Sequence, residues 1–220
     1  MKLGIVTIGQ SPRSDVIPEM AEIWGRSVRV VERGALDELS DTQIRRLAPR
    51  PGEYVLVTRL REGQEVAVSK QKLLPLLQQC MDEMARMAVD AVLLLCTAPF
   101  PSLDYRGMLI RPQEILFSTV TALVEQGTLG VLVPSAAQER QAYERWAEAG
   151  LEVVIASASP YCRSDPAHAA RRLAQAEPAL VVLDCMGYSR RDKEKVQTVV
   201  RCPVILARGL IAHVVAAMAG

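Results

Sequence analysis

The sequence predicts an α/β fold made of two similar Rossmann-like half-domains, each with a parallel sheet and with an active-site cleft between them. Three observations carry this. Short aliphatic or β-branched runs alternate with amphipathic stretches along the whole chain. Several of the runs are continuously apolar, as strands buried on both faces of a parallel sheet are. Two pairs of runs also repeat. Leu3-Gly4-Ile5-Val6-Thr7-Ile8 is matched by Leu129-Gly130-Val131-Leu132-Val133-Pro134, and Ala91-Val92-Leu93-Leu94-Leu95-Cys96-Thr97 by Leu180-Val181-Val182-Leu183-Asp184-Cys185-Met186.

In chain order, the apolar run at 3–8 is a first strand, and a helix over about 14–24 follows the turn at Gly9 to Arg13. A strand at 27–31 and a helix at 37–47 come next. Runs at 54–58 and 65–69 flank a polar stretch containing Gly63 and read as a hairpin. A helix over 69–88 carries Cys80 among Leu76, Leu77 and Met84, a core pattern, and leads to a strand at 91–96. Helices at 112–126, 136–149, 165–176, 190–200 and 209–219 then alternate with strands at 129–133, 152–155, 180–185 and 203–207. The mixed charges of Arg190-Arg191-Asp192-Lys193-Glu194-Lys195 read as a solvated helix face.

The repeat sets the domain organisation. Gly4 to Cys96 is 92 positions and Gly130 to Cys185 is 55, so the first half carries 37 more. They fall between Gly34 and Gln71, which includes the hairpin. The expected lobes are residues 1–115 with 207–220, carrying an inserted hairpin around 50–70, and residues 116–206. In open α/β sheets ligands sit at the carboxyl ends of the strands, where both Cys96 and Cys185 fall.

Composition excludes several function classes. At 220 residues, 50% hydrophobic and 23% charged, the chain is an ordinary globule rather than a disordered one. With 26 basic against 25 acidic residues it lacks the basic excess of a nucleic-acid binder, and 4% aromatic content is too little for base-stacking platforms. No apolar run approaches the roughly 18 residues of a membrane span, and the amino-terminal segment lacks a signal-peptide core. The five cysteines, at 80, 96, 162, 185 and 202, include no CxxC pair, so neither a disulfide framework nor a zinc site fits. A cytoplasmic protein with reduced thiols is the expectation.

A cysteine at a strand end, followed by a turn and a helix start, has N–H groups nearby that favour thiolate. A nucleophilic cysteine needs a base, normally His. The two histidines, His168 and His213, lie within predicted helices and read as structural. Two cysteines at equivalent positions of a duplicated fold suggest instead one acid and one base on opposite faces of a carbon. The plainer alternative is a pair of small buried hydrophobes. Asp184 and Cys185 point to opposite strand faces, so the carboxylate is expected to bind an amide or an arginine rather than the thiol. Cys202 before Pro203 reads as structural, and Cys162 lies in the loop Pro160-Tyr161-Cys162-Arg163.

The chain resembles the AroM protein family from Thr7-Ile8-Gly9-Gln10-Ser11-Pro12-Arg13, through Leu183-Asp184-Cys185-Met186-Gly187-Tyr188, to Gly209-Leu210-Ile211-Ala212. That family is similar to the aspartate/glutamate racemase superfamily. The wider likeness rests on the duplicated halves, Cys96-Thr97 and the second cysteine at 185. It implies that Cys96 and Cys185 correspond to the two cysteines which racemise amino acids or hydantoins, isomerise maleate or decarboxylate malonates there, without metal or pyridoxal phosphate. The sequence departs from glutamate racemases where Met186-Gly187-Tyr188 follows Cys185 in place of His, and it lacks their Asp-Ser-Gly motif near the start.

The loop Gly9-Gln10-Ser11-Pro12-Arg13-Ser14-Asp15 reads as an anion seat. Gly9 permits the turn, Ser11 or Ser14 caps, and Arg13 offers a fork to a carboxylate or phosphate. Otherwise Arg13 is a solvated cation and Ser14 a cap. In the second half Ser135 stands at the equivalent place with Gln138 one turn on, as a carboxylate contact or a plain cap. Thr97 and Ala98 after Cys96, and Gly187 and Tyr188 after Cys185, would turn their amides into the crevice.

The expected function is a cofactor-independent racemase or isomerase of a small carboxylic acid, amino acid or hydantoin-like derivative. Cys96 and Cys185 are the acid-base pair, with Gln10, Ser11 and Thr97 among the donors that meet the carbanion. The alternatives are a non-catalytic binding or regulatory protein on the same scaffold and a redox thiol switch. The partner implied is a small carboxylate-bearing ligand, with no metal, nucleic acid or membrane; hydrophobic helices such as that at 112–124 would suit a homodimer.

Overall fold

The structure, a computed structural model, describes residues 1–162 and 164–220; Arg163, named above beside Cys162, lies outside the described residues. It divides into two compact units, Met1–Gln113 with Ala212–Gly220, and Glu114–Ile211.

In the first unit, β1 (Lys2–Thr7), α1 (Ile17–Trp24), β2 (Arg29–Gly34) and α2 (Asp41–Arg46) are followed by the antiparallel hairpin β3 (Val55–Arg59) and β4 (Glu65–Ser69). Then come α3 (Lys70–Arg86), β5 (Ala91–Leu95) and β6 (Met108–Ile110). The sheet order is β2-β1-β5-β6 and every pairing is parallel. The apolar runs of β1 and β5 are buried because helices cover the central strands of a parallel sheet on both faces. Their side chains join Leu36, Leu56, Val68, Leu73, Leu77 and Met81 in one core.

In the second unit, α4 (Pro112–Leu123) leads to β7 (Thr128–Val133), a 3₁₀ turn at Ala136–Gln138, α5 (Glu139–Ala147) and β8 (Glu152–Ser157). α6 (Pro166–Ala174), β9 (Leu180–Leu183), α7 (Arg190–Gln197) and β10 (Val204–Leu206) follow, and α8 (Ala207–Ala219) starts in this unit and ends in the first. The sheet order β10-β9-β7-β8 is again all parallel. It maps strand for strand onto the first sheet, with β7, β8, β9 and β10 in the places of β1, β2, β5 and β6.

The register makes the repeat quantitative. Leu3 pairs with Ala91 and Thr7 with Leu95 in one sheet; Leu129 pairs with Leu180 and Leu132 with Leu183 in the other. Setting Leu3 on Leu129 therefore sets Ala91 on Leu180, and five positions on it sets Cys96 on Cys185.

Two of the differences from the sequence reading have local reasons. Asp37 does not open a helix, because its carboxylate accepts from the Gly34 and Ser11 amides; Ser40 opens α2 instead, with Gln43 completing a capping box. β6, which the sequence reading omitted, is a three-residue edge strand with Met108 exposed. Among the described residues no helix is long and apolar enough to cross a membrane.

Candidate active site

Each unit places one cysteine just past the carboxyl end of a central strand. In the first, the Cys96 amide donates to the Leu94 carbonyl at 2.7 Å, which turns the chain sharply. The Ala98 amide then donates to Cys96 Sγ at 3.4 Å. In the second, the Asp184 amide donates to Leu132 O at 2.9 Å, and the Gly187 amide reaches Cys185 Sγ at 3.3 Å. Both sulfurs are half-buried, and both accept an N–H from the residue two positions on. A backbone N–H aimed at sulfur stabilises negative charge there.

The surroundings of Cys185 are dense. The Tyr161 hydroxyl lies 3.8 Å from Sγ. A Cβ on residue 187 would stand 2.4 Å from that hydroxyl oxygen and 2.8 Å from Pro160 Cγ, so only glycine lets the Tyr161 ring lie against this turn. Arg208 donates from Nε to Met186 O at 3.0 Å and from Nη2 to Gly187 O at 2.8 Å. Asp184, 4% exposed, meets Arg145 and accepts from Trp146 Nε1 at 2.8 Å. Of the two partners expected for it, an amide or an arginine, the arginine is present. Tyr161 and Arg208 did not figure in the sequence reading. The usable signal for Arg208 was a cation in the first turn of an apolar helix, where the helix dipole disfavours it.

Tyr188, expected to offer its amide, donates that amide to Cys185 O at 3.4 Å. Its side chain is fully buried, its hydroxyl donates to Ala158 O at 2.6 Å, and it belongs to the core of the second unit. Burial first, then the nearby Cys185 and Asp184 charges, push its phenol well above the ordinary value.

The loop after β1 is tied to protein groups. Gln10 donates to Leu36 O and accepts from the Arg61 amide, and Ser11 Oγ donates to Asp37 at 2.6 Å. Arg13 is 2% exposed, which overturns its reading as a solvated cation. Its fork grips Asp15 through Nε and Nη2, both at 2.8 Å, and Nη1 donates to Thr7 Oγ1 at 3.0 Å. The fork expected to face a ligand anion therefore holds a carboxylate of its own chain. Burial works to raise the Asp15 carboxyl, but the bonds and charge of Arg13 and the charge of Arg59 outweigh it and hold the carboxyl below its ordinary value. Gly9 has an ordinary φ; it is needed because a Cβ would lie 2.4 Å from Thr58 Oγ1 and 2.5 Å from Arg59 O.

Thr97 is buried, and Lys70 holds the next carbonyl beyond Ala98, that of Pro99, at 3.1 Å while lying over the Tyr54 ring. Ser135 accepts from the Ala137 amide at 3.3 Å and so caps the 3₁₀ turn that contains Gln138. Because Thr7 pairs with Leu95 and Leu132 with Leu183, the loop after β1 leaves the same sheet edge as the Cys96 turn, and Ser135 the same edge as Cys185. His168 and His213 are exposed on α6 and α8. Cys80 is buried, its thiol pushed up to about 12 chiefly by desolvation. Cys202 is raised by the same cause, and Cys162 is exposed. Among the described residues, no group of three or more His, Cys, Asp or Glu could hold a metal ion.

The AroM protein family matches residues 3–219, very nearly the whole chain. The chain belongs to the AroM protein family. No curated protein sequence matches it. Among solved structures, the AroM-family chain is similar to aspartate racemase of Picrophilus torridus, at a TM-score of 0.58 and 12% identity over 100% of this chain and 94% of that one. It is similar to glutamate racemase of Francisella tularensis in complex with D-glutamate, at 0.62 and 13% over 99% and 80%. It is also similar to the maleate isomerase of Pseudomonas putida, at 0.59 and 13% over 99% and 92%. At such identities the likeness establishes the fold alone, the α/β architecture of these solved structures.

Proposed function

We propose that this AroM-family chain is a cofactor-independent racemase or isomerase of a small carboxylic acid, an amino acid or a hydantoin-like derivative. The observation that carries the reading is the register-equivalence of Cys96 and Cys185, each with an N–H from two residues on directed at its sulfur. Neighbours of the same fold named as racemases and an isomerase, one of them holding D-glutamate, support the reaction class and a carboxylate-bearing ligand.

In this reading one cysteine, as thiolate, takes the proton from the carbon next to a carbonyl or carboxylate and becomes a thiol. The electron pair of the broken C–H bond delocalises into that carbonyl. The other cysteine, a thiol, delivers its proton to the opposite face and is left as thiolate, so the reverse reaction starts from the exchanged pair. A free thiol is only a few per cent thiolate at pH 7, so the N–H groups at each sulfur serve to raise that fraction. Thr97, Gln10, Ser135 and Gln138, at the same sheet edges, are the groups offered to the developing charge, while the Ala98 and Gly187 amides serve the sulfurs and Ser11 is held by Asp37. Arg13 enters by fixing the loop that carries Gln10 and Ser11. The chemistry requires reduced thiols, as in the cytoplasm.

The test is isotope exchange. Amino acids, hydantoins and dicarboxylates are incubated with the protein in deuterated water, and label is sought at the carbon next to the carboxylate or carbonyl. Label with loss of optical purity supports the reading. No label in any class, with a carboxylate still raising the melting temperature, favours a binding protein instead.

A further inference from the structure

Arg208 stands second in α8, at the helix pole that disfavours a cation, and it is 2% exposed. A buried guanidinium in such a place must be compensated by well-directed acceptors. The carbonyls of Met186 and Gly187 serve as such acceptors. The first decides the argument. Met186 C=O and Gly187 N–H are opposite ends of one planar trans peptide unit, and they point in opposite directions. Arg208 Nε is 3.0 Å from the oxygen end, and the N–H end is 3.3 Å from Cys185 Sγ. Cation, peptide and sulfur stand in series. A positive charge on the carbonyl polarises the amide and makes its N–H a stronger donor.

We propose that Arg208 is a positioning residue for Cys185: it fixes the Met186–Gly187 peptide with its N–H on Sγ and, through that peptide, stabilises the thiolate form of Cys185. The proposal rests on the acid-base reading of Cys185 given above. Beside this thiol stand the Tyr161 hydroxyl, 3.8 Å from Sγ, and the buried Tyr188 phenol, on which Cys185, Asp184 and Asp192 all act. The peptide held by Arg208 favours negative charge on sulfur.

The experiment is alkylation by iodoacetamide across a range of pH, quantified at each cysteine by mass spectrometry, on the unaltered protein, Arg208→Gln and Arg208→Lys. In Arg208→Gln, Cys185 is expected to react about tenfold more slowly at pH 7, its midpoint rising by about one pH unit. Arg208→Lys recovers part of the rate, since an ammonium keeps the charge but cannot grip two carbonyls as a fork does. An unchanged circular dichroism spectrum and a cooperative melting transition report that each variant is folded. An unchanged Cys185 profile in a folded Arg208→Gln overturns the proposal and leaves the acid-base reading standing. If Cys185 in the unaltered protein reacts no faster than the exposed Cys162, that reading falls and the proposal falls with it. Should neither variant fold, an NMR titration of the unaltered protein decides. The Arg208 Nε–H and Gly187 N–H resonances must move with the same midpoint as the Cys185 thiol, and an Arg208 signal that stays flat through it overturns the proposal.

Discussion

Trp146 donates its indole N–H to the carboxylate of Asp184 at 2.8 Å, one residue before Cys185. Arg145 reaches the same carboxylate oxygen, and both partners come from α5. The strand end that delivers the cysteine is thus anchored to a helix by a buried charge. Removing one partner of a buried ion pair leaves the other uncompensated, so Asp184→Ala is expected to cost about 3–5 kcal/mol. Trp146→Phe keeps a ring to pack on Phe117 and loses only the hydrogen bond to a charged group, about 1.5–3 kcal/mol. Urea unfolding of both variants gives the two values; an Asp184→Ala cost below that of Trp146→Phe would show the carboxylate to be dispensable.

Asp15 makes stability in the first unit depend on pH. Its carboxyl titrates lower in the folded chain than in the unfolded chain, for which the ordinary value is about 3.9. The contribution is therefore fully present above about pH 4 and is lost as the pH falls through the lower folded value. Asp15→Asn is expected to be less stable than the unaltered protein at pH 7, with the difference shrinking below pH 4. Melting curves from pH 7 to pH 3 check this, and a constant difference across that range would contradict it.

Gly187→Ala drives a methyl into the Tyr161 ring and Pro160. The overpacking is expected to cost about 1–3 kcal/mol. It must also move the tyrosine away from Cys185 or the 187 amide away from Sγ, so Cys185 alkylation changes even where the fold survives. Tyr161→Phe, which removes only the hydroxyl, serves as the control for which of the two moved.

Cys80, buried and raised to about 12, is expected to stay unmodified by a thiol reagent at pH 8 in the folded protein and to react on denaturation. Peptide mapping after a brief exposure shows it directly.

How much of this was legible in the sequence divides along physical lines. The central strands β1, β5, β7 and β9 were visible because burial on both faces leaves an uninterrupted apolar run. Cys96 and Cys185 were visible because the repeat aligned them before any coordinates did. β2 extends to Gly34, beyond the 27–31 expected, because its charged residues find partners: Glu32 accepts from the Arg13 amide, and Arg33 pairs with Glu83. No periodicity reports such pairing. The grip of Arg13 on Asp15, two residues away, is a matter of side-chain direction that spacing leaves undetermined. Arg208 and Tyr161 reach the Cys185 turn from 23 and 24 positions away in the chain, and contacts of that kind leave no local pattern.

The acid-base pairing of Cys96 with Cys185 is tested most directly by the stereochemical fate of label in single variants. With a substrate that the unaltered protein inverts in deuterated water, Cys96→Ser and Cys185→Ser should each lose inversion by a factor of about 10² to 10⁴. Each should still exchange the hydrogen of one enantiomer with retention, the one whose C–H faces the surviving cysteine, and the two variants should choose opposite enantiomers. Inversion at the original rate in either variant, or exchange of the same enantiomer by both, would contradict the account.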